Sequence, residues 1–201
     1  MKQSTRSCLM ALPFLALGHA AFADMPANAR ELSTTHLVTS LGVMDGGDKL
    51  ATVEYRHRDD VDINAGGLVL FGVGVDHEFG NNWEVQATFN YLAAGASARN
   101  GDVSFTRWPV EALGFYRMGN HRFGGGLTYH INPKLDVDID YGPDDTINFD
   151  DALGVVIEYD YFFLRQLSLG VRGTLIDYKS SDLHDTVNGN SIGIIVSGYF
   201  F

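Results

Sequence analysis

Residues 132–151 form the most acidic segment of the sequence, with seven aspartates and one lysine. Asp136, Asp138 and Asp140 have the spacing of the first three ligands in a calcium-binding loop. Such a loop also needs a glycine at its sixth position and a glutamate at its twelfth, where this sequence has Tyr141 and Ile147. We therefore predict no dedicated metal site. A weak divalent site that bridges to phosphate groups of lipopolysaccharide is kept as an alternative.

The same segment is better interpreted as a strand. Val137, Ile139 and Tyr141 would continue the odd-numbered apolar face of the preceding segment, and the aspartates would form its solvated face.

A second set of charged residues recurs at alternate positions within apolar segments. An arginine and a carboxylate at close range attract each other strongly when water is excluded, and an isolated buried charge is costly. We therefore predict an interior ion-pair network, and a narrow path for solutes is the alternative. The inward-facing set comprises Asp76, Glu78, Glu84, Arg107, Glu111, Arg117, Arg122, Glu158, Asp160 and Arg172, of which Glu158, Arg172, Asp160, Glu111 and Arg117 are the main ion-pair candidates.

The elements that carry these residues are strands, because apolar residues recur with period two. In "DALGVVIEYDYFF" every odd position from Leu153 to Phe163 is apolar, whereas the even positions include Gly154, Glu158 and Asp160. Seven such strands follow Gly66. A single-chain bacterial barrel has an even number of strands, so one of residues 35–44 and 50–57 should be the first spanning strand. We favour 35–44, with the second segment forming a small hairpin with "DVDI" in an outer loop.

Tight turns fix the register of the predicted strands. They are Gly119-Asn120, residues 80–82, and a three-residue turn centred on Arg165. Pro109 lacks a backbone donor and indicates a bulge or a strand edge. The predicted cross-strand pairs are Tyr116 with Phe123, Trp108 with Ile131, Phe79 with Trp83, Phe163 with Leu167, Tyr161 with Leu169, and Glu158 with Arg172.

Short connections alternate with longer ones at 45–64, 94–102, 132–150 and 180–189, which is typical of an antiparallel transmembrane β-barrel with short periplasmic turns and longer extracellular loops. The predicted fold class is therefore all-β, with eight strands. A soluble sandwich is the alternative, but its outward strand faces would not be wholly apolar. In the last strand Ile195, Tyr199 and Phe201 share a parity, and we expect Tyr199 and Phe201 to belong to a C-terminal assembly signal.

The first residues favour export. Lys2 and Arg6 precede a short apolar run, and the small-x-small pattern at 21–23 predicts cleavage before Asp24. The predicted organisation is a signal peptide at 1–23 and a barrel at 24–201. Cys8, the only cysteine, would be lost with the signal. The whole chain has a formal net charge of −11, and cleavage would remove two further positive charges, which excludes nucleic acid as a favoured partner.

The stretch "FTRWPVEALGFYRMGNHRFGGGLTYHINPKL", with "GGDKLATVEYR" before it, resembles a largely uncharacterised family of small outer-membrane β-barrels from Gram-negative bacteria. The resemblance implies an outer-membrane location and no particular activity. A weaker likeness is to outer-membrane lipid A deacylases, which use a His-x-Ser element. The corresponding residues here are His130-Ile131-Asn132, and asparagine cannot replace a serine nucleophile.

Together these observations predict a non-enzymatic barrel that contributes to envelope integrity or surface interaction through acidic outer loops. A narrow channel and a lipid A-modifying enzyme are the alternatives. We expect no catalytic residues, cofactor or metal. The expected partners are outer-membrane lipid, lipopolysaccharide and, during biogenesis, the outer-membrane assembly machinery.

Overall fold

Eight of the strands in the computed structural model form a closed antiparallel barrel. The structure describes residues 35–53, 61–67, 69–79, 82–98, 101–139, 145–180 and 185–200. Around the barrel the strands follow the order β1, β4, β5, β6, β7, β9, β10 and β13, and β13 pairs with β1 from Leu37–Phe200 to Asp45–Ile192. The strands are β1 Thr35–Asp45, β2 Lys49–Val53, β3 Val61–Asn64, β4 Val69–Phe79, β5 Trp83–Ala98, β6 Gly101–Met118, β7 His121–Ile139, β8 Asp145–Asn148, β9 Ala152–Leu164, β10 Leu167–Leu175, β11 Asp177–Ser180, β12 Asp185–Asn188 and β13 Ser191–Phe200.

The strand count and the choice of first strand are confirmed. β1 pairs with β13 on one side and with β4 on the other, so it closes the ring. β2 instead pairs with β3 in a separate two-stranded sheet, which is the predicted outer hairpin. Within the described ranges no helix is long and apolar enough to cross a membrane.

The alternating faces follow the predicted pattern. Side chains at every second position point outward and form an apolar band, with Leu153 and Ile157 each more than 60% exposed. The intervening side chains are buried inside the ring, hereafter the lumen. This arrangement pairs neighbouring strands all round the ring and leaves no open edge to lipid.

The turns fix the register largely as expected. The structure pairs Tyr116 with Phe123, Trp108 with Ile131, Phe79 with Trp83, Tyr161 with Leu169, and Glu158 with Arg172. The predicted pair of Phe163 with Leu167 is wrong. Leu167 pairs with Leu164 across a two-residue turn, and Phe163 is the extra residue of a β-bulge that restores the expected register from Ser168 onward.

A second bulge lies between β6 and β7. Thr106 pairs with Lys134 but Trp108 pairs with Ile131, so Asn132 and Pro133 oppose Arg107 alone. Asn132 has a φ of +50°, a left-handed conformation that asparagine tolerates better than most residues. Pro109 therefore lies near a bulge, as predicted, but the extra residue is on the neighbouring strand.

This bulge reverses the parity of β7 and corrects the prediction for the acidic segment. On the short-turn side of the bulge, His130 faces the lumen and Tyr129 faces outward. Above it Leu135 is 4% exposed and Val137 packs with the interior, so the odd-numbered residues turn inward instead of continuing the outer face. Asp136 and Asp138 lie on the solvated side, as expected. Ile139 pairs in the strand, and residues 140–144, including Asp140 and Tyr141, lie outside the described ranges.

The strands at the long-loop end form a second layer, hereafter the crown. It comprises β2, β3, β8, β11 and β12, together with the parts of β5, β6 and β7 that extend past the level of Arg107 toward the long loops. Backbone hydrogen bonds connect its parts. The Asp48 amide donates to the Asn188 carbonyl at 2.8 Å, and the Asp150 amide donates to the Lys179 carbonyl at 2.8 Å.

The crown encloses an apolar cluster above the lumen. Its buried members are Ile63, Ala65, Ala94, Phe105, Leu135, Phe149, Ala152, Ile176 and Tyr178.

The last strand continues the alternation of inward and outward side chains. Ile195 and Tyr199 point into the lumen, at 2% and 6% exposed, while Ile192, Ile194 and Val196 form the outward face. Phe201 and the predicted signal peptide lie outside the described residues.

Candidate functional site: the charged lumen

All ten charged residues predicted to face inward do so. Because they occupy alternate positions on β4, β5, β6, β7, β9 and β10, the closure of the barrel brings together side chains that are distant in sequence. Eight of them are almost fully buried, namely Asp76, Glu84, Arg107, Glu111, Arg122, Glu158, Asp160 and Arg172. Arg117 and Glu78 are 27% and 39% exposed, at the short-turn end.

Arg172 is the centre of the middle lumen. It donates to Glu158 Oε2 at 2.9 Å across the β9–β10 pair, and it also forms an ion pair with Glu111 on the opposite wall. Glu111 accepts further hydrogen bonds from Thr88 at 3.0 Å and Thr128 at 3.1 Å. Glu158 and Glu111 therefore share one guanidinium. The predicted Glu158–Arg172 pair is part of a triad whose third member is Glu111.

Arg122 is the centre of the lower lumen, the part nearer the short turns. It donates to Asp160 Oδ2 from Nε at 2.9 Å and from Nη2 at 2.7 Å, and to Glu84 at 3.1 Å. Asp76 lies at 3.5 Å and Glu158 at 3.8 Å from the same guanidinium. Glu158 thus lies within 4 Å of both arginines, and the two clusters form one network.

Aromatic rings complete the lower network. The Arg122 guanidinium carbon lies 3.8 Å from the Phe115 ring centroid and 5.1 Å from that of Tyr199. Arg117, which pairs with Glu84 at 3.1 Å, lies 3.9 Å above Phe162. Cation–π contacts of this kind contribute about 2 kcal/mol or more when water is excluded.

The lumen also contains uncharged polar residues that were not part of the predicted ion-pair set. Gln86 accepts a hydrogen bond from Arg122 at 3.3 Å, and Asn90 donates to Thr88 at 3.1 Å. Both lie at even positions of β5, the parity of Glu84, so the period-two pattern places them on the same face.

Arg107 differs from the other three lumen arginines. It is 1% exposed, and its Nε and Nη1 atoms have no hydrogen-bond partner. No carboxylate in the described ranges lies within 4 Å of it. Its guanidinium carbon lies 4.6 Å from the Phe105 ring centroid and 5.7 Å from that of Tyr178, whose hydroxyl also hydrogen-bonds to the guanidinium.

His130, the residue that resembles a catalytic histidine, is also buried in the upper lumen. It is 2% exposed, and its Nδ1 lies 2.7 Å from the Tyr178 hydroxyl oxygen. Asn132 is exposed on the bulge, and its backbone amide donates to Asp151 Oδ1 at 2.9 Å. The two residues therefore face different environments, an arrangement that supplies neither a nucleophile nor access to lipid.

The acidic crown segment is held by local contacts. Asp136 accepts hydrogen bonds from Lys134 and Thr146, each at 2.8 Å, and these interactions lower the pKa of its carboxyl group from the usual value. Among the described residues no group of three or more histidine, cysteine, aspartate or glutamate side chains has the geometry to hold a metal ion.

The sequence matches the model of a known family. Residues 11–200 match the family model described as the outer membrane protein beta-barrel domain. The chain belongs to this family. Its short-turn end is accordingly periplasmic, its crown is extracellular, and its outward apolar band faces the lipid of a Gram-negative outer membrane.

Solved structures show the same fold at low identity. Ail of Yersinia pestis in complex with the heparin analogue sucrose octasulfate has a TM-score of 0.55 and 14% identity, with 82% of this chain and 96% of that chain covered. Neisserial surface protein A has a TM-score of 0.50 and 13% identity, with 83% and 97% covered. No curated protein matches the chain.

Proposed function

We propose that this protein is a non-enzymatic outer-membrane barrel that conducts little or nothing and acts at the cell surface through its acidic crown. The observation that carries this proposal is the filling of the lumen. Arg122 and Arg172 hold carboxylates from several walls in its lower and middle parts, and the apolar cluster around Phe105 and Tyr178 lies above them. An eight-stranded barrel has room for little more than its own side chains.

The surface chemistry of the crown supports a contact role. Asp48, Asp102, Asp138, Asp150 and Asp177 are all exposed there. Among the described residues of this layer Lys49 and Lys179 are exposed cations, and Lys134 forms an ion pair with Asp136. The crown is therefore suited to cationic surfaces, or to lipopolysaccharide phosphates through bridging divalent cations.

The charge of the crown also separates this protein from one of its structural neighbours. Ail is described in complex with a heparin analogue, a polyanion. An acidic crown would repel such a ligand, so we infer that the fold is shared while the class of surface partner differs.

Two measurements test the proposal. In planar bilayers the purified protein should show no steady conductance, and a large stable pore would favour the channel instead. Nanodiscs that carry the protein should bind polylysine beads, but not heparin beads, and this binding should weaken with salt. A crown variant with Asp102→Asn, Asp138→Asn and Asp177→Asn should lose most of this binding, whereas Arg165→Gln at the periplasmic turn should retain it. Equal binding by both variants would refute a role for the crown.

The envelope role is tested in cells. Loss of the protein should increase sensitivity to detergent and chelator, and the wild type should restore resistance better than the crown variant. Lipid A mass spectra should not change on its loss, and a change in acylation would refute the non-enzymatic assignment.

A further inference from the structure

The upper lumen contains a buried cation that the ion-pair network does not use. On β6 Arg107 lies four residues toward the crown from Glu111, the nearest carboxylate on the lumen face of that strand. This separation corresponds to roughly 13 Å along a strand. This distance is too long for an ion pair. Both side chains are buried, so bulk water does not solvate either charge.

A shortage of carboxylates does not explain the isolation of Arg107. In the lower and middle lumen, away from Arg107, six acidic side chains accompany three arginines, so acids are in excess there. The acids are Asp76, Glu78, Glu84, Glu111, Glu158 and Asp160, and the arginines are Arg117, Arg122 and Arg172. A buried guanidinium does not lose its proton, and a buried charge without a partner is unfavourable. The described residues therefore leave the charge of Arg107 without a compensating carboxylate.

The surroundings of Arg107 indicate the size of a compensating partner. The Phe105 and Tyr178 rings lie near the guanidinium and are themselves fully buried. At Gly67, whose φ is +84°, a Cβ atom would come within 2.7 Å of Nη2, so the backbone there also lies close to the guanidinium. Nε and Nη1 remain as free donors. We propose that Arg107 binds a small monovalent anion of the size of chloride in the upper lumen, beneath the apolar cluster of the crown.

The proposal predicts a stability that depends on the anion. The folded barrel is titrated with urea at constant ionic strength while chloride replaces gluconate, an anion too large for this position. Binding to the folded state alone lowers the unfolding equilibrium constant by the factor 1 + [chloride]/Kd, which is about elevenfold at ten times Kd. The unfolding midpoint of the wild type should therefore rise with chloride.

Arg107→Met removes the cation and should abolish the chloride response. In gluconate it should be at least as stable as the wild type, because replacing an uncompensated buried charge by an apolar side chain removes an unfavourable term. Lys179→Gln, which removes an exposed crown cation, should retain the full chloride response. Equal responses of the wild type and Arg107→Met would overturn the proposal.

A second measurement needs only the wild type. Crystals grown with bromide should show an anomalous peak within hydrogen-bond distance of Arg107 Nε or Nη1. Absence of that peak, or a midpoint that rises with acetate but not with chloride, would overturn the assignment of a small ion. Neither result bears on the surface role of the crown.

Discussion

Arg172→Met should be the most destabilising single change in the middle lumen. The substitution leaves Glu111 and Glu158 without their shared arginine, and both carboxylates are at most 4% exposed. Removing one partner of a buried ion pair typically costs about 3–5 kcal/mol. Since a protein of ordinary stability unfolds with about 5–15 kcal/mol, the loss should be easy to measure.

The structure predicts a smaller effect for either acid alone. In Glu158→Gln, Arg172 keeps Glu111, and the new amide can still accept a hydrogen bond from the guanidinium. Arg122 also keeps Asp160, its closest carboxylate at 2.7 Å. The cost should be at most about 1.5–3 kcal/mol, the range for one hydrogen bond to a charged group.

The triple variant Glu111→Gln, Glu158→Gln, Arg172→Met separates coupling from simple loss of packing. It removes the whole triad, so no buried charge of that triad is left uncompensated. It should recover much of the Arg172→Met loss, because groups in direct contact show large non-additive terms.

Urea unfolding of the refolded barrel, followed by tryptophan fluorescence, measures these differences. With a urea slope of about 2 kcal/mol per molar, a loss of 4 kcal/mol moves the midpoint by about 2 M. Glu78→Gln is the control, because its 3.5 Å pair with Arg117 is partly exposed and should contribute only about 0–1 kcal/mol. Additive losses in the triad, or a loss from Arg172→Met no larger than that of the control, would refute the network.

Two further outcomes follow from the closed, filled barrel. The folded protein should migrate differently on a detergent gel before and after boiling, since a closed sheet has no edge from which to unzip, and identical migration would contradict closure. Gly124→Ala should destabilise the barrel by about 1–3 kcal/mol, because the new Cβ would meet Phe115 and the Gly114 carbonyl. Gly114→Ala, with nothing within 4 Å of its Cβ, should not.

Much of the barrel could be predicted from period two and from turns alone. The Gly119-Asn120 turn predicts every β6–β7 pair from Met118 with His121 to Trp108 with Ile131, and the structure has that register. Glu158 and Arg172 meet for the same reason, since the bulge at Phe163 compensates for the shorter turn. Neighbouring strands are local in sequence, so their pairing follows from loop length.

Contacts across the lumen could not be predicted in this way. Arg122 on β7 reaches Asp76 on β4 and Glu84 on β5, and Arg172 on β10 reaches Glu111 on β6. These partners are not adjacent strands, so no turn relates their positions. Their meeting depends on the tilt and stagger with which the sheet closes.

The acidic segment shows how one residue can separate two chemistries on one strand. Without the bulge, the parity of His130 would continue, and Lys134 and Asp136 would point into the crown while Leu135 and Val137 met solvent. The extra residue at Asn132-Pro133 reverses this order, so Leu135 joins the buried cluster and Asp136 faces outward. A period-two pattern assumes an unbroken pleat and cannot show the reversal. The signal was nevertheless present, because an asparagine that tolerates positive φ followed by a proline without a donor is a pair that an uninterrupted ladder disfavours. The apolar interior and the acidic exterior of the crown therefore depend on one local irregularity, placed where β7 leaves the lipid-facing part of the barrel.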